Sequence, residues 1–280
     1  MKLATLRLGG STVAARIEDD KAVFIREIAD VGELLLSKDW RSVALSASSD
    51  EVKLSSLDRS QWAPVIPRPS KIICVGLNYQ NHILEMGRQL PEHPTLFAKF
   101  AEALVGPYDP IVVPKFAASS IDWEAELAVV IGTTARHVDE TDALSHIAGY
   151  SALNDVTIRN FQYRTTQWMQ GKTFESTCPL GPVLVTSDEF SLRSKITTEI
   201  DGELVQQANT DDLVFSPAHL ISYISNILTL NPGDIIATGT PGGVGHAQSP
   251  QRYLQQGNRL ETSISGIGSM NNVIMVETPL

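Results

Sequence analysis

The stretch that decides the fold is Ile121-Asp122-Trp123-Glu124-Ala125-Glu126-Leu127-Ala128-Val129-Val130-Ile131. Read as a strand, it alternates. Ile121, Trp123, Ala125, Leu127, Val129 and Ile131 fall on one face, and all are apolar. Asp122, Glu124 and Glu126 fall on the other, followed by Ala128 and Val130. One face can pack a core while the carboxylates point the opposite way. Neighbouring carboxylates repel and raise each other's pKa. Such a row is either a solvated edge or a site for a hard cation, and the stretch alone does not choose between them.

Working outward, Lys71 to Gly76 reads as a short buried strand ending in glycine. His82 and Glu85 follow, three residues apart, so on a helical turn they share a face. A carboxylate beside an imidazole orients the ring and stabilises its charged form, which makes a general-base pair; an exposed ion pair fits the same spacing. Gly87 and Pro91 bracket a polar stretch that suits a mobile lid. Thr95 to Phe100 is another strand, and Pro107, Pro110 and Pro114 give a loop-rich approach to the acidic stretch. Beyond it, Asp139 is placed to cap a helix with Leu144, Ile147 and Ala148 as its stripe and Gly149 as its end. Tyr150 to Val156 reads as a strand with Asp155 near its end, where Asp is ordinarily a turn residue. Returned beside Glu124 and Glu126, it would complete an oxygen site of the magnesium type. Arg159 and Gln162 follow at helical spacing, and Lys172 sits in Gly171-Lys172-Thr173-Phe174.

The flanks are plainer. Leu3 to Leu8 and Thr12 to Glu18 form a hairpin around Gly9-Gly10. Pro64-Val65-Ile66-Pro67-Arg68-Pro69 is a stiff connector. It divides the chain into a small N-terminal α+β domain, 1–65, and a larger domain, 66–280. Downstream, Ile196 to Gln207 is a hairpin about Asp201-Gly202. Ser216-Pro217 opens a helix with Leu220, Ile221, Ile224 and Ile227 as its buried stripe. Ile235 to Thr238 runs into Gly239-Thr240-Pro241-Gly242-Gly243-Val244-Gly245, a loop whose amides can approach an anionic group closely. It lacks the Lys-Ser/Thr ending of a P-loop and the glycine spacing of a dinucleotide fingerprint.

Composition narrows the classes. The chain has 280 residues, 42% hydrophobic and 19% charged, which suits a globular protein with a real core. Its net charge of −10 argues against nucleic acid and anionic membranes as partners, though not against an anionic small molecule. Its two cysteines, Cys74 and Cys178, make no disulfide framework or metal pair. No signal pattern or apolar run long enough for a membrane span is evident, so the expectation is a cytoplasmic protein.

Taken in order, the motifs carry a family. They are Gly76-Leu77-Asn78-Tyr79…His82…Glu85, Asp122-Trp123-Glu124-Ala125-Glu126-Leu127, Asn154-Asp155-Val156…Arg159…Gln162, Gly171-Lys172-Thr173-Phe174, and Pro232-Gly233-Asp234…Thr238-Gly239-Thr240-Pro241…Gly243-Val244-Gly245. From about Lys71 onward the chain resembles the fumarylacetoacetate hydrolase family in its bacterial acylpyruvate hydrolase branch. The resemblance implies an α+β, β-rich fold, a mixed β-sandwich roll of barrel-like shape, and a homodimer. It implies Glu124, Glu126 and Asp155 as ligands of Mg2+ or Mn2+, and His82 with Glu85 as a dyad on a lid. It assigns Lys172 to transition-state charge and Arg159, Gln162, Thr240 and Tyr79 to a small anionic oxo-acid substrate. The implied reaction is hydrolysis of a C–C bond in a 2,4-diketo acid, an acylpyruvate such as fumarylpyruvate, in aromatic-compound catabolism, by water activated at His82. Decarboxylation of oxaloacetate or a related oxo-diacid, or an isomerase or hydratase reaction, would use the same residues. A metal-binding protein without catalysis is the remaining class, and the intact dyad and lysine speak against it. Two departures stand out. Asn160 occupies a position where the family often has Asp, and no proline follows Lys99.

Overall fold

The computed structural model describes residues 1–48, 50–85, 87 and 89–277. Among these, the strands form an eleven-stranded sheet, a five-stranded sheet and a two-stranded ribbon. The acidic stretch lies at the centre of the large sheet. Its strand Ala125–Ile131 pairs antiparallel with Ile147–Asn154 on one side and with Ile235–Ala237 on the other. The sheet continues through Ile72–Gly76 to Thr95–Lys99 at one edge. At the other it continues through Cys178–Thr186, Lys2–Leu8, Ser11–Glu18 and Lys21–Ile25 to Glu51–Lys53. The two edges do not meet, so the expected barrel-like roll is an open one.

The alternation holds, but the acidic face is not solvated. Ala125, Leu127, Val129 and Ile131 enter one core, with Leu220, Ile221 and Ile224 of the helix Pro217–Ile227. That core also takes Ile196, Ile264 and Met270 of the five-stranded sheet, which makes the sandwich. Ala128 and Val130 point the other way, into a second core filled by Val31, Leu34, Leu35, Trp40 and Ile66. Each such aliphatic side chain contributes about 1.5–3 kcal/mol on full burial. The N-terminal residues therefore cover the reverse face of the central strand, and their sheet is continuous with it through Lys2–Leu8 and Cys178–Thr186.

Where the strand meets the carboxylates, its ladder breaks. Ile121–Asp122 pairs with Thr157–Ile158 in the separate ribbon, and Trp123 packs into a third core beside Ile121. Across the break, side-chain amides replace the ladder: Glu124 N–H donates to Asn154 Oδ1 at 3.0 Å and Ala125 N–H to Gln206 Oε1 at 3.1 Å.

Three local expectations change. The helix after Asp139 covers only Glu140–Ala143, with a 3-10 turn to His146, and Ile147, Ala148 and Gly149 belong to the next strand. An apolar run of three to five residues fits either period, and sheet pairing decided it. Ile227 is 58% exposed and lies off the buried stripe. The segment after Lys99 forms a 3-10 turn, Ala101–Ala103, and a short strand, Leu104–Val105, parallel to Cys178–Thr186.

Candidate metal centre and active site

The register of the central pair builds the site. Ala125 faces Asn154, so the next residues outward, Glu124 and Asp155, meet at the strand ends. Asp155 N–H donates to the Glu124 carbonyl at 2.8 Å. Glu126, two residues along, shares the face of Glu124. Oxygens of Glu124, Glu126 and Asp155 all lie within 4.8 Å of one another. The three residues are 8%, 2% and 0% exposed.

Buried carboxylates need partners. Lys172 Nζ lies 2.6 Å from Glu124 Oε2 and 2.8 Å from Asp155 Oδ2. Lys99 Nζ lies 2.6 Å from Asp155 Oδ1 and also donates to the Lys172 carbonyl. Arg159 bridges Asp122 and Glu124, each at 2.7 Å, and donates to Gln162 Oε1 at 2.8 Å. Burial alone would lower the Lys172 ammonium, but Asp155 and Glu124 outweigh it and hold it above its ordinary value. Burial would raise Asp155, and Lys172 and Lys99 reverse this and hold its carboxyl below the usual range. Glu126 is the exception. Burial, then the Asp155 and Glu124 charges, push its carboxyl well above the usual range, and its hydrogen-bond donor is the Gly239 N–H at 2.9 Å. Gly239 has φ +98°, and a Cβ there would sit 2.9 Å from the Val75 carbonyl oxygen, so only glycine brings its amide this close. Four carboxylates, counting Asp122, thus face three cations. The donor set is all oxygen and anionic, which fits a hard divalent cation such as magnesium or manganese. Glu124, Glu126 and Asp155 are the residues that would hold it.

A cavity of about 420 Å³ opens above this floor. Tyr79, Glu124, Glu126, Arg159, Gln162, Lys172 and Thr240 all line it, together with Leu77, Phe97, Tyr163, Trp168, Val244 and His246. Tyr79 is buried, and its hydroxyl has no hydrogen-bond partner among the described residues. Thr240 Oγ1 accepts from Gln206 Nε2 at 2.9 Å. His82 and Glu85 lie on the helix Gln80–Glu85 as expected; their side chains, with Met86 and Arg88 of the expected lid, lie outside the described residues.

The structure departs from the sequence reading in several side chains. The glycine-rich loop does approach anions with its amides, but they are the chain's own: Gly239 serves Glu126, while Gly245 and His246 serve Asp122 at 2.7 and 3.1 Å. Asp122, on the same sequence face as the trio, is therefore saturated. Arg159 lines the cavity with its guanidinium already bound to Asp122, Glu124 and Gln162. Asn160 is exposed, and its side-chain oxygen accepts from the Ser120 hydroxyl at 2.8 Å. Sequence reasoning missed Lys99, Trp168 and His246. Only Lys99 carried a signal: it stands at the end of the strand Thr95–Lys99 beside apolar neighbours, and it is fully buried.

Comparison with known proteins places this arrangement. The profile of the fumarylacetoacetate (FAA) hydrolase C-terminal family matches residues 71–275. The chain is similar to human mitochondrial oxaloacetate tautomerase FAHD2A, 40% identical over 255 residues, covering 89% of this chain and 79% of that one. It is similar to oxaloacetate tautomerase YisK of Bacillus subtilis, 39% identical over 270 residues, covering 95% and 86%. Among solved structures it resembles maleylpyruvate hydrolase from Sphingobium sp. SYK-6 in complex with manganese(II) and pyruvate. That likeness has a TM-score of 0.81 and 28% identity, and covers 99% of this chain and all of that one. With its motifs, its fold and its buried acidic trio in agreement, the chain belongs to the fumarylacetoacetate hydrolase family.

Proposed function

We propose that this chain is a divalent-metal-dependent enzyme that interconverts the enol and keto forms of a small 2-oxo dicarboxylic acid of the oxaloacetate class. The observation that carries the reading is the trio Glu124, Glu126 and Asp155 within 4.8 Å at the cavity floor, with Lys172 bound to two of its members. The relatives named oxaloacetate tautomerase support the substrate class.

A divalent ion, which Glu124, Glu126 and Asp155 would hold, would supply Lewis acidity to the 2-oxo acid. The chain does the rest. His82 moves the proton between the 2-oxygen and C3 of the substrate, and Glu85 orients its ring. Lys172 offers its ammonium to negative charge developing on the 2-oxygen. The Thr240 and Tyr79 hydroxyls and the Gln162 amide position the substrate. Arg159 acts through Glu124 and Gln162, which it holds in place.

A second reading is hydrolysis of an acylpyruvate by water activated at His82, favoured by the likeness to a hydrolase that binds manganese and pyruvate. One assay separates the two. Freshly dissolved enol-oxaloacetate is followed by its ultraviolet absorbance with Mg2+, Mn2+ or EDTA, beside acetylpyruvate and fumarylpyruvate. The expected result is metal-dependent acceleration of enol decay. Release of pyruvate plus a carboxylic acid, with enol decay unchanged, moves the assignment to hydrolase. Turnover that survives complete metal removal overturns both. The expected homodimer belongs to this reading as a proposal, checked by sedimentation.

A further inference from the structure

The cavity has a buried floor and an exposed mouth, and one group at the mouth has no role in the reaction above. Glu126 and Lys172 at the floor are each 2% exposed, whereas Tyr163 is 59% exposed. His246 stacks on Tyr163, with ring centroids 5.0 Å apart and planes at 29°. It sits in the 3-10 turn Gly245–Ala247, anchored by its own N–H on Asp122.

The ring is held from one side. Nδ1 lies 2.7 Å from the Tyr253 hydroxyl and 3.3 Å from Gln251 Nε2. The Tyr253 hydroxyl carries one proton, shared between Nδ1 and Gln251 Oε1 at 3.0 Å; in the tautomer in which it donates to Nδ1, alongside the Gln251 amide, the ring proton is on Nε2. Nε2 itself has no partner among the described residues. Of the cavity-lining residues that can carry positive charge, Lys172 and Arg159 are each bound to two carboxylates, and the His246 ring to none among the described residues. Burial, then the charge of Arg159, lowers the His246 pKa, which favours a neutral N–H donor.

We propose that His246 is a specificity-determining residue: its Nε2–H donates to the distal carboxylate of a 2-oxo dicarboxylic acid whose oxo-acid end lies on the acidic trio. The inference rests on the oxo-acid reading above and deepens it. It separates dicarboxylic from monocarboxylic oxo acids, which a metal ion held by the trio, meeting only the end that both share, would not do. A site built to hydrogen-bond one group discriminates strongly against ligands that lack it.

The test is calorimetric binding of pyruvate and of freshly dissolved oxaloacetate to the Mg2+-loaded protein, for wild type, His246→Ala and His246→Gln. Wild type should bind oxaloacetate more tightly than pyruvate. His246→Ala should weaken oxaloacetate by roughly 10- to 100-fold, the loss expected for one hydrogen bond to a charged group, and leave pyruvate unchanged. Unchanged pyruvate binding also shows that the variant is folded. His246→Gln, which keeps an N–H donor, should retain most of the preference. The inference is overturned if wild type binds both acids equally, or if His246→Ala weakens both or neither. Wild type that binds neither acid overturns the oxo-acid reading itself, and this inference with it.

Discussion

Asp122 and Glu126 belong to one alternating face of one stretch, yet their surroundings are opposites. Asp122 accepts from the backbone N–H groups of Trp123, Gly245 and His246 and from Arg159. Glu126 accepts from Gly239 and otherwise looks at two more carboxylates. The first region is scaffold: a charge whose lone pairs are all taken by the chain. The second is a charge the protein leaves short of partners, facing a cavity. What distinguishes a structural carboxylate from a ligand here is the number of donors around it, not its burial, since both are buried.

That contrast can be broken at four places, from the largest effect to the smallest. Asp122→Ala leaves two loop amides without their acceptor and takes from Arg159 one of the two carboxylates that it bridges, and loss of one partner from a buried pair costs about 3–5 kcal/mol. Thermal melting of the metal-free protein should show it; an unshifted melt would remove Asp122 from the scaffold. Glu126→Gln should weaken Mg2+ or Mn2+ binding by at least about 100-fold, a free-energy change of about 2.7 kcal/mol. The metal-free melting temperature should not fall, because a like-charge contact is relieved. A lower melting temperature with intact metal binding would invert the comparison. Gly245→Ala strains the loop that saturates Asp122: a Cβ there would lie 1.9 Å from the Arg252 carbonyl oxygen. Overpacking of this kind costs about 1–3 kcal/mol, read by denaturant titration, while a neutral result would mean that the loop is free to shift. Asn160→Asp introduces a carboxylate at an exposed position. Its stability should change by less than about 0.5 kcal/mol, with turnover essentially unaltered. A large gain in turnover would place this surface contact in the site after all.

Much of this was legible beforehand, for identifiable reasons. Period-two alternation with glycine turns marked the hairpins at 2–18 and 195–209, because local pairing needs no distant partner. Glu124, Glu126 and Asp155 were legible through their motifs, and the register Ala125 to Asn154 supplies the geometry behind them. Lys99 was not legible as a partner of Asp155, since 56 residues separate them and only the sheet joins them. The split of the central strand between two cores was hidden for the same reason: the cover for Ala128 and Val130 comes from residues near the N-terminus. His246 lay just past the end of a motif, and a ring is recruited there only by a cavity wall that several loops build together.

The pairing of Ala125 with Asn154 has one further consequence, for how the chain reaches this structure. Slipping that register by one residue exchanges the two faces of the strand. Glu126 would then enter the aliphatic core now holding Leu127 and Val129, far from Lys172 and Arg159. An unpaired charge there is costly enough to reject the mispaired sheet. The carboxylates thus serve during assembly as an alignment check: a chain threaded one residue out of step gains neither a core nor a site, so the same error that would spoil the chemistry also spoils the fold.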